Sequence, residues 1–218
     1  MILVTGFESY GRRAANPAEM VAQALDGTRI GGVAVRGVTL PVDYAAIRES
    51  VPRMLDELRP RAVVSLGLWP GEAMIRLERV ALNHAAFEIA DNTGLLLEET
   101  IDPEAPAAFM TTLPVEKICA GLRKRGIPSR ISETAGTFLC NALMFTVMEH
   151  CQRAESEAAC GFIHLPYLPE QVAQLLDDLA AEGQLELHQR ADLASMAPEM
   201  MVEAVRFAIA ASLEGVAQ

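Results

Sequence analysis

The sequence predicts an α/β fold in which a largely parallel sheet is covered by helices on both faces. Three observations lead there. Strand-like and helix-like segments alternate along the chain, the pattern in which crossover helices join parallel strands. Runs such as ILVTGF and AVVSLGL are apolar without polar alternation, as strands buried on both faces are. With 218 residues, 51% of them hydrophobic, the chain is long enough for one large α/β domain, and no internal repeat, low-complexity tract or Pro/Gly-rich linker divides residues 1–218.

Taken in order, ILVTGF (2–7) is a short apolar strand. Asn16-Pro17 then starts a helix running to about Gly27, because Asn accepts from free first-turn N–H groups and Pro tolerates the first helical position. VAVRGVTL (33–40) is a β-branched strand, YAAIRESVPRMLDEL (44–58) a helix that Pro52 kinks or interrupts, and AVVSLGL (62–68) a buried strand. MIRLERVALN (74–83) alternates as a strand, and ADNTG (90–94) is a turn. VEKICAGLRKRG (115–126) is a helix stopped by its glycine, and SRIS (129–132) is a further strand. From Cys140, the residues Leu143, Met144, Val147, Met148 and Cys151 recur at helical spacing and form one apolar face. GFIHL (161–165) is a strand ending against Pro166. PEQVAQLLDDLAAEG (169–183) and PEMMVEAVRFAIAASLEG (198–215) are helices with Pro-Glu in the first turn, while QLELHQRADLASMA (184–197) is a loop or a short added element.

A formal charge of −11 and a pI near 4.8 argue against nucleic acid as a partner, since phosphate binding needs clustered Lys and Arg. The first residues lack a basic signal-peptide region, and no apolar stretch approaches the roughly 18 residues of a membrane span, so a soluble, cytoplasmic protein is expected. Cys119, Cys140, Cys151 and Cys160 include no CxxC pair, and His84, His150 and His188 have no ligand-like spacing. Neither a metal nor another cofactor is expected, and Cys119, Cys151 and Cys160 are read as structural or incidental thiols.

In an open parallel sheet, chemistry gathers at the carboxyl ends of strands. Cys140 follows the turn ETAGTF and opens a helix, where unpaired N–H groups and the helix dipole favour thiolate over thiol and would also face an oxyanion. His164, at the end of its strand, is placed to take the thiol proton and return it to a leaving amine. Glu78, a carboxylate in an otherwise apolar alternation, suits the third role of orienting the imidazole. Each has a bland alternative on spacing alone: Cys140 as a small buried hydrophobe, His164 as a structural histidine, Glu78 as half of a solvated pair with Arg79.

Five blocks in order, VTGFESYG…NP, LERVALN, DNTG, SETAGTFLCN and GFIHLPYLPEQ, resemble the pyroglutamyl peptidase I family of cysteine peptidases, also called pyrrolidone-carboxylate peptidases. The resemblance implies a Glu-Cys-His triad on Glu78, Cys140 and His164. It also implies removal of N-terminal pyroglutamate from peptides through an acyl-enzyme, an α/β/α sandwich around a twisted mixed sheet, and a homotetramer. It assigns an apolar lactam pocket to the aromatics Phe7, Tyr10 and Phe138, with Asn16, Ile89, Leu139 and Met144 lining or supporting it.

The chain departs from the family pattern in three places. Gly11-Arg12 stands where the family shows two glycines, and Glu72 and Glu88 replace arginines, changes expected to disfavour the Cys140 thiolate or alter substrate choice. Two other functions stay open at this point: a thiol amidase or peptidase for another small acyl cap, and a homologue that binds a related ligand without turnover.

Overall fold

The computed structural model describes residues 1–10, 15–183 and 193–214. The Gly11-Arg12 turn and residues 184–192 of the uncertain segment lie outside them. The elements run β1 (Ile2–Phe7), α1 (Pro17–Leu25), β2 (Arg29–Ile30), β3 (Val33–Leu40), α2 (Tyr44–Leu58), β4 (Ala62–Leu68), β5 (Ile75–Glu78), β6 (Val80–Leu82), β7 (Ala85–Ala86), β8 (Glu98–Glu99) and β9 (Ala108–Met110). They continue with α3 (Val115–Lys124), β10 (Ser129–Ser132), α4 (Leu139–Arg153), β11 (Ala159–Leu165), α5 (Pro169–Ala181) and α6 (Pro198–Leu213).

A seven-stranded sheet of order β10-β5-β11-β4-β1-β3-β2 forms the middle layer. β3, β1, β4 and β11 run parallel; β5 is antiparallel to β11 yet parallel to β10, and β2 is antiparallel to β3. Every residue of β1, β4 and β11 is buried, which explains their unbroken apolar runs. One core joins the sheet to α1, α3 and α6, and a second joins its other face to α2 and α4. The mixed three-layer architecture is therefore the expected one.

Local sequence chemistry accounts for the helices. Asn16 caps α1, its side chain accepting from Ala18 N at 3.0 Å and donating to Glu8 O at 2.9 Å. Ala18, Val21, Ala22 and Leu25 then form the buried stripe. Of the expected kink or interruption at Pro52, the interruption is absent: helix α2 is continuous from Tyr44 to Leu58. Its stripe Tyr44, Ile47, Val51 and Leu55 is buried on the core, and that packing outweighs the one hydrogen bond a proline removes.

The segment 74–83 is two strands. At Arg79 the N–H donates to Ser132 O at 2.8 Å while the carbonyl accepts from Thr111 N at 2.8 Å. The chain thus leaves the main sheet after Glu78, and β6 pairs antiparallel with β9 in a small separate sheet. Residues 193–197 rest on the chain after β11, where Met196 N donates to Tyr167 O at 2.9 Å. Among the described residues no helix is long and apolar enough to cross a membrane.

Candidate active site

Sheet register brings the first two site residues together. β11 pairs with β5 so that His164 faces Arg76 and Phe162 faces Glu78. Because side chains alternate along a strand, Arg76, Glu78 and His164 share one face of the sheet. His164 Nδ1 lies 2.8 Å from Glu78 Oε1, with Glu78 fully buried and His164 at 1% exposure. Assigning the proton to Nδ1 leaves Nε2 unprotonated, as a base requires.

Cys140 comes from the opposite direction. Helix α4 begins at Leu139, one residue earlier than expected, so Cys140 is its second residue. The preceding turn is fixed by Gly136, at φ +81°, and by a two-way backbone and side-chain grip of Thr137 on Ala86 O and N, each at 2.9 Å. Asn141 anchors the helix start: its Oδ1 accepts from Leu82 N at 2.8 Å, and its Nδ2 donates to Leu82 O and His84 O at 2.9 Å. Phe138 offers α4 no side-chain cap, so its first-turn N–H groups stay available. The Cys140 sulfur sits over Gly67, where a Cβ would be 2.8 Å away. Gly67 is the register partner of His164 on β4, so sulfur and imidazole meet above one rung of the sheet.

Both open onto a cavity of about 390 Å3 at the carboxyl ends of β1, β4 and β11. Phe7, Tyr10, Asn16, Ile89, Phe138 and Leu139 are in its wall, as expected. Met144 is not: it is 1% exposed and lies in the core beneath, because it follows Cys140 by four residues, on the same side of the helix but one turn further from the cavity. Rings meet along the wall, with Phe138 against Phe87 at 4.8 Å and Tyr10 at 6.4 Å. Trp69, which the sequence reading passed over, is also in the wall, its ring edge-on to His164 at 5.0 Å. A lone tryptophan directly after the carboxyl end of a buried strand was the signal available for it.

Arg76 was passed over too. It is 6% exposed; its Nε donates to Glu78 Oε1 at 2.6 Å, its Nη2 to Thr134 O at 2.7 Å, and its guanidinium stacks 3.6 Å over Trp69. The alternative of Glu78 as a solvated partner of Arg79 does not hold, since Arg79 turns outward to Glu116 and Glu133. An R-x-E pair two apart on a strand was the signal for Arg76, because that spacing puts both side chains on one face. Glu72 is bound by Arg130, whose Nη2 and Nε lie 2.6 and 3.0 Å from Oε2, while Glu88 is an exposed residue of the cavity wall.

Burial pushes the Cys140 thiol up to about 12, helped by the Glu78 charge and opposed by the cysteine's own N–H and by Arg76. Cys140 keeps some exposure to the cavity. Burial also holds His164 below its ordinary value; Arg76 acts in the same direction and Glu78 against it. The helix terminus therefore does not prevail over burial as the sequence reading expected. At neutral pH the resting pair is a thiol beside a neutral imidazole, suited to attack with concerted proton removal.

Over residues 1–215 the chain matches the family model described as pyroglutamyl peptidase. The chain belongs to the pyroglutamyl peptidase family. Pyrrolidone-carboxylate peptidase of Pyrococcus furiosus is 41% identical over 98% of each chain, and that of Thermococcus litoralis 37% identical over 98% of this chain and 93% of its own. A crystal structure of the Pyrococcus furiosus pyrrolidone carboxyl peptidase superposes with a TM-score of 0.90 at 39% identity, covering 99% of both chains. Within the pyroglutamyl peptidase family, then, this chain presents its thiol and imidazole on a mostly apolar cavity, with the Glu78 carboxylate buried behind the imidazole. Among the described residues no group of three or more His, Cys, Asp and Glu could hold a metal ion.

Proposed function

We propose that residues 1–218 form a single cysteine exopeptidase domain that removes N-terminal pyroglutamate (5-oxoproline) from peptides, using Cys140 as nucleophile, His164 as general base and acid, and Glu78 as the group that orients the imidazole. The observation that carries it is the 2.8 Å Glu78–His164 hydrogen bond beside a thiol on the same apolar cavity.

His164 Nε2 takes the thiol proton as sulfur attacks the pyroglutamyl carbonyl, and first-turn N–H groups of α4 face the developing oxyanion. The same proton passes to the leaving amine, releasing the shortened peptide and leaving a thioester. Water, deprotonated by His164, then releases pyroglutamate and restores the thiol. The flat, uncharged lactam suits a wall of Phe7, Tyr10 and Phe138. A cytoplasmic setting is supported by four free cysteines, and a homotetramer is carried over from the resemblance to bacterial relatives.

The test is release of a chromogenic amine from a pyroglutamyl amide under reducing conditions, with a prolyl amide, which lacks the lactam carbonyl, as control. Turnover by wild type on the lactam substrate and loss in Cys140→Ala are expected. No turnover by folded wild type on the pyroglutamyl amide would overturn the reading. Glu88 on the cavity wall favours a second reading, a thiol amidase with another acyl preference, and a panel of acyl amides separates the two.

A further inference from the structure

Arg76 makes contacts that reach every part of the proposed triad. It and His164 bind the same oxygen, Glu78 Oε1, at 2.6 and 2.8 Å, while Oε2 is buried with no partner among the described residues. Both groups hold the same oxygen, so the carboxylate cannot swing away from the imidazole without also breaking the Arg76 contact, and the arginine fixes the orientation in which His164 meets it. Its second arm holds Thr134 O at 2.7 Å, in the turn that leads into α4 and Cys140. Its flat face lies 3.6 Å over Trp69, whose ring packs edge-on against His164. One planar fork thus ties the acid, the ring beside the base and the approach to the nucleophile.

The charge has a separate effect. A carboxylate buried without a cation is costly, and an unopposed Glu78 would stabilise the imidazolium and discourage the thiolate. The groups bearing on His164 are Glu78 and Arg76 from β5, Cys140 from α4, and Glu72, which is itself held by Arg130 of β10. Arg76 is the cation in direct contact with Glu78.

We propose that Arg76 is a positioning residue of the reaction, holding the Glu78 carboxylate in place against His164 through one shared oxygen while its charge offsets that of Glu78 beside the imidazole and the thiol. The proposal rests on the peptidase reading, but its first measurement needs no turnover. Trp69 is the only tryptophan in the chain, and a protonated imidazole against an indole quenches its emission. Fluorescence against pH therefore reads the protonation of His164 directly.

Wild type is expected to titrate with a midpoint below the ordinary histidine value of 6.5. In Arg76→Gln the midpoint moves to higher pH, the acid limb of kcat/KM moves with it, and kcat falls by about tenfold or more. Arg76→Lys keeps the charge without the fork, so its midpoint stays near wild type while kcat still falls. A folded Arg76→Gln whose midpoint and acid limb coincide with wild type would overturn the proposal, whatever its kcat. If Arg76→Gln does not fold, Arg76→Lys decides alone: an unmoved midpoint with reduced kcat supports the proposal, and a moved midpoint or unchanged kcat overturns it. Absence of pyroglutamyl amide turnover in wild type sinks the substrate assignment and leaves the fluorescence result standing.

Discussion

Glu78 Oε1 and His164 Nδ1 meet at 2.8 Å across two antiparallel strands, with Glu78 fully buried and His164 reaching only the cavity. The pairing fixes the ring orientation and leaves the far nitrogen as the base. Replacing Glu78 by Gln keeps the size, and the amide oxygen, which must face Arg76 Nε, still accepts from Nδ1, but the negative charge that stabilises the imidazolium formed during the reaction is lost. The expected result is a fall in kcat of about 10²–10⁴, as for loss of the acid in other triads, with KM for the pyroglutamyl amide changed far less. Unchanged kcat in folded Glu78→Gln would remove Glu78 from the triad.

Cys140 and His164 rest neutral, which predicts a distinctive thiol titration. Iodoacetamide is uncharged and reacts with the thiolate, so its rate follows thiolate content. With the thiol pushed up to about 12, alkylation of Cys140 should rise about tenfold per pH unit between roughly pH 7 and pH 9 without levelling off. A thiolate–imidazolium pair would instead give a plateau at neutral pH. Mass mapping of the modified peptide distinguishes Cys140 from the other three cysteines.

Gly67 supplies the space that Cys140 occupies. A methyl group there would stand 2.8 Å from the sulfur and 2.9 Å from Phe162 Cζ, closer than real contacts allow. Gly67→Ala must therefore displace the sulfur or the Phe162 ring, which lies 4.8 Å from His164. Because a misplacement of about 1 Å can cost about 10²-fold in rate, kcat should fall by roughly that factor while circular dichroism stays native. Wild-type kcat in this variant would mean that the sulfur does not work from the place above Gly67.

These relationships show what the sequence could and could not carry. The buried strands β1, β4 and β11 were legible because burial on both faces leaves an unbroken apolar run, and α1 was legible from Asn16-Pro17. The break at Arg79 was read through, although the apolar positions shift from Ile75 and Leu77 to Val80 and Leu82 across Glu78-Arg79; the partners Ser132 and Thr111 show that the sheet changes there. The helix through Pro52 depended on packing, a tertiary effect. Cys140, His164 and Glu78 were singled out by type and position. The thiol's raised pKa was hidden because it depends on how deeply α4 sets the sulfur against the sheet, and motif spacing did not reveal that Met144 sits a turn below the cavity wall.

Among the described residues Glu88 is the one acidic side chain in the cavity wall, and it is exposed. The lactam is uncharged and belongs among the aromatics, so the carboxylate bears on whatever follows the pyroglutamyl group. Peptides with Lys or Arg in that second position should have a higher kcat/KM than those with Glu or Asp. For an exposed pair worth about 0.2–1 kcal/mol the factor is roughly two- to fivefold. It should shrink as salt is raised, since exposed charges are screened. Glu88→Gln should remove most of the preference, leaving turnover of the neutral pyroglutamyl amide near wild type, whereas a preference that survives both the substitution and high salt would place its origin elsewhere in the wall.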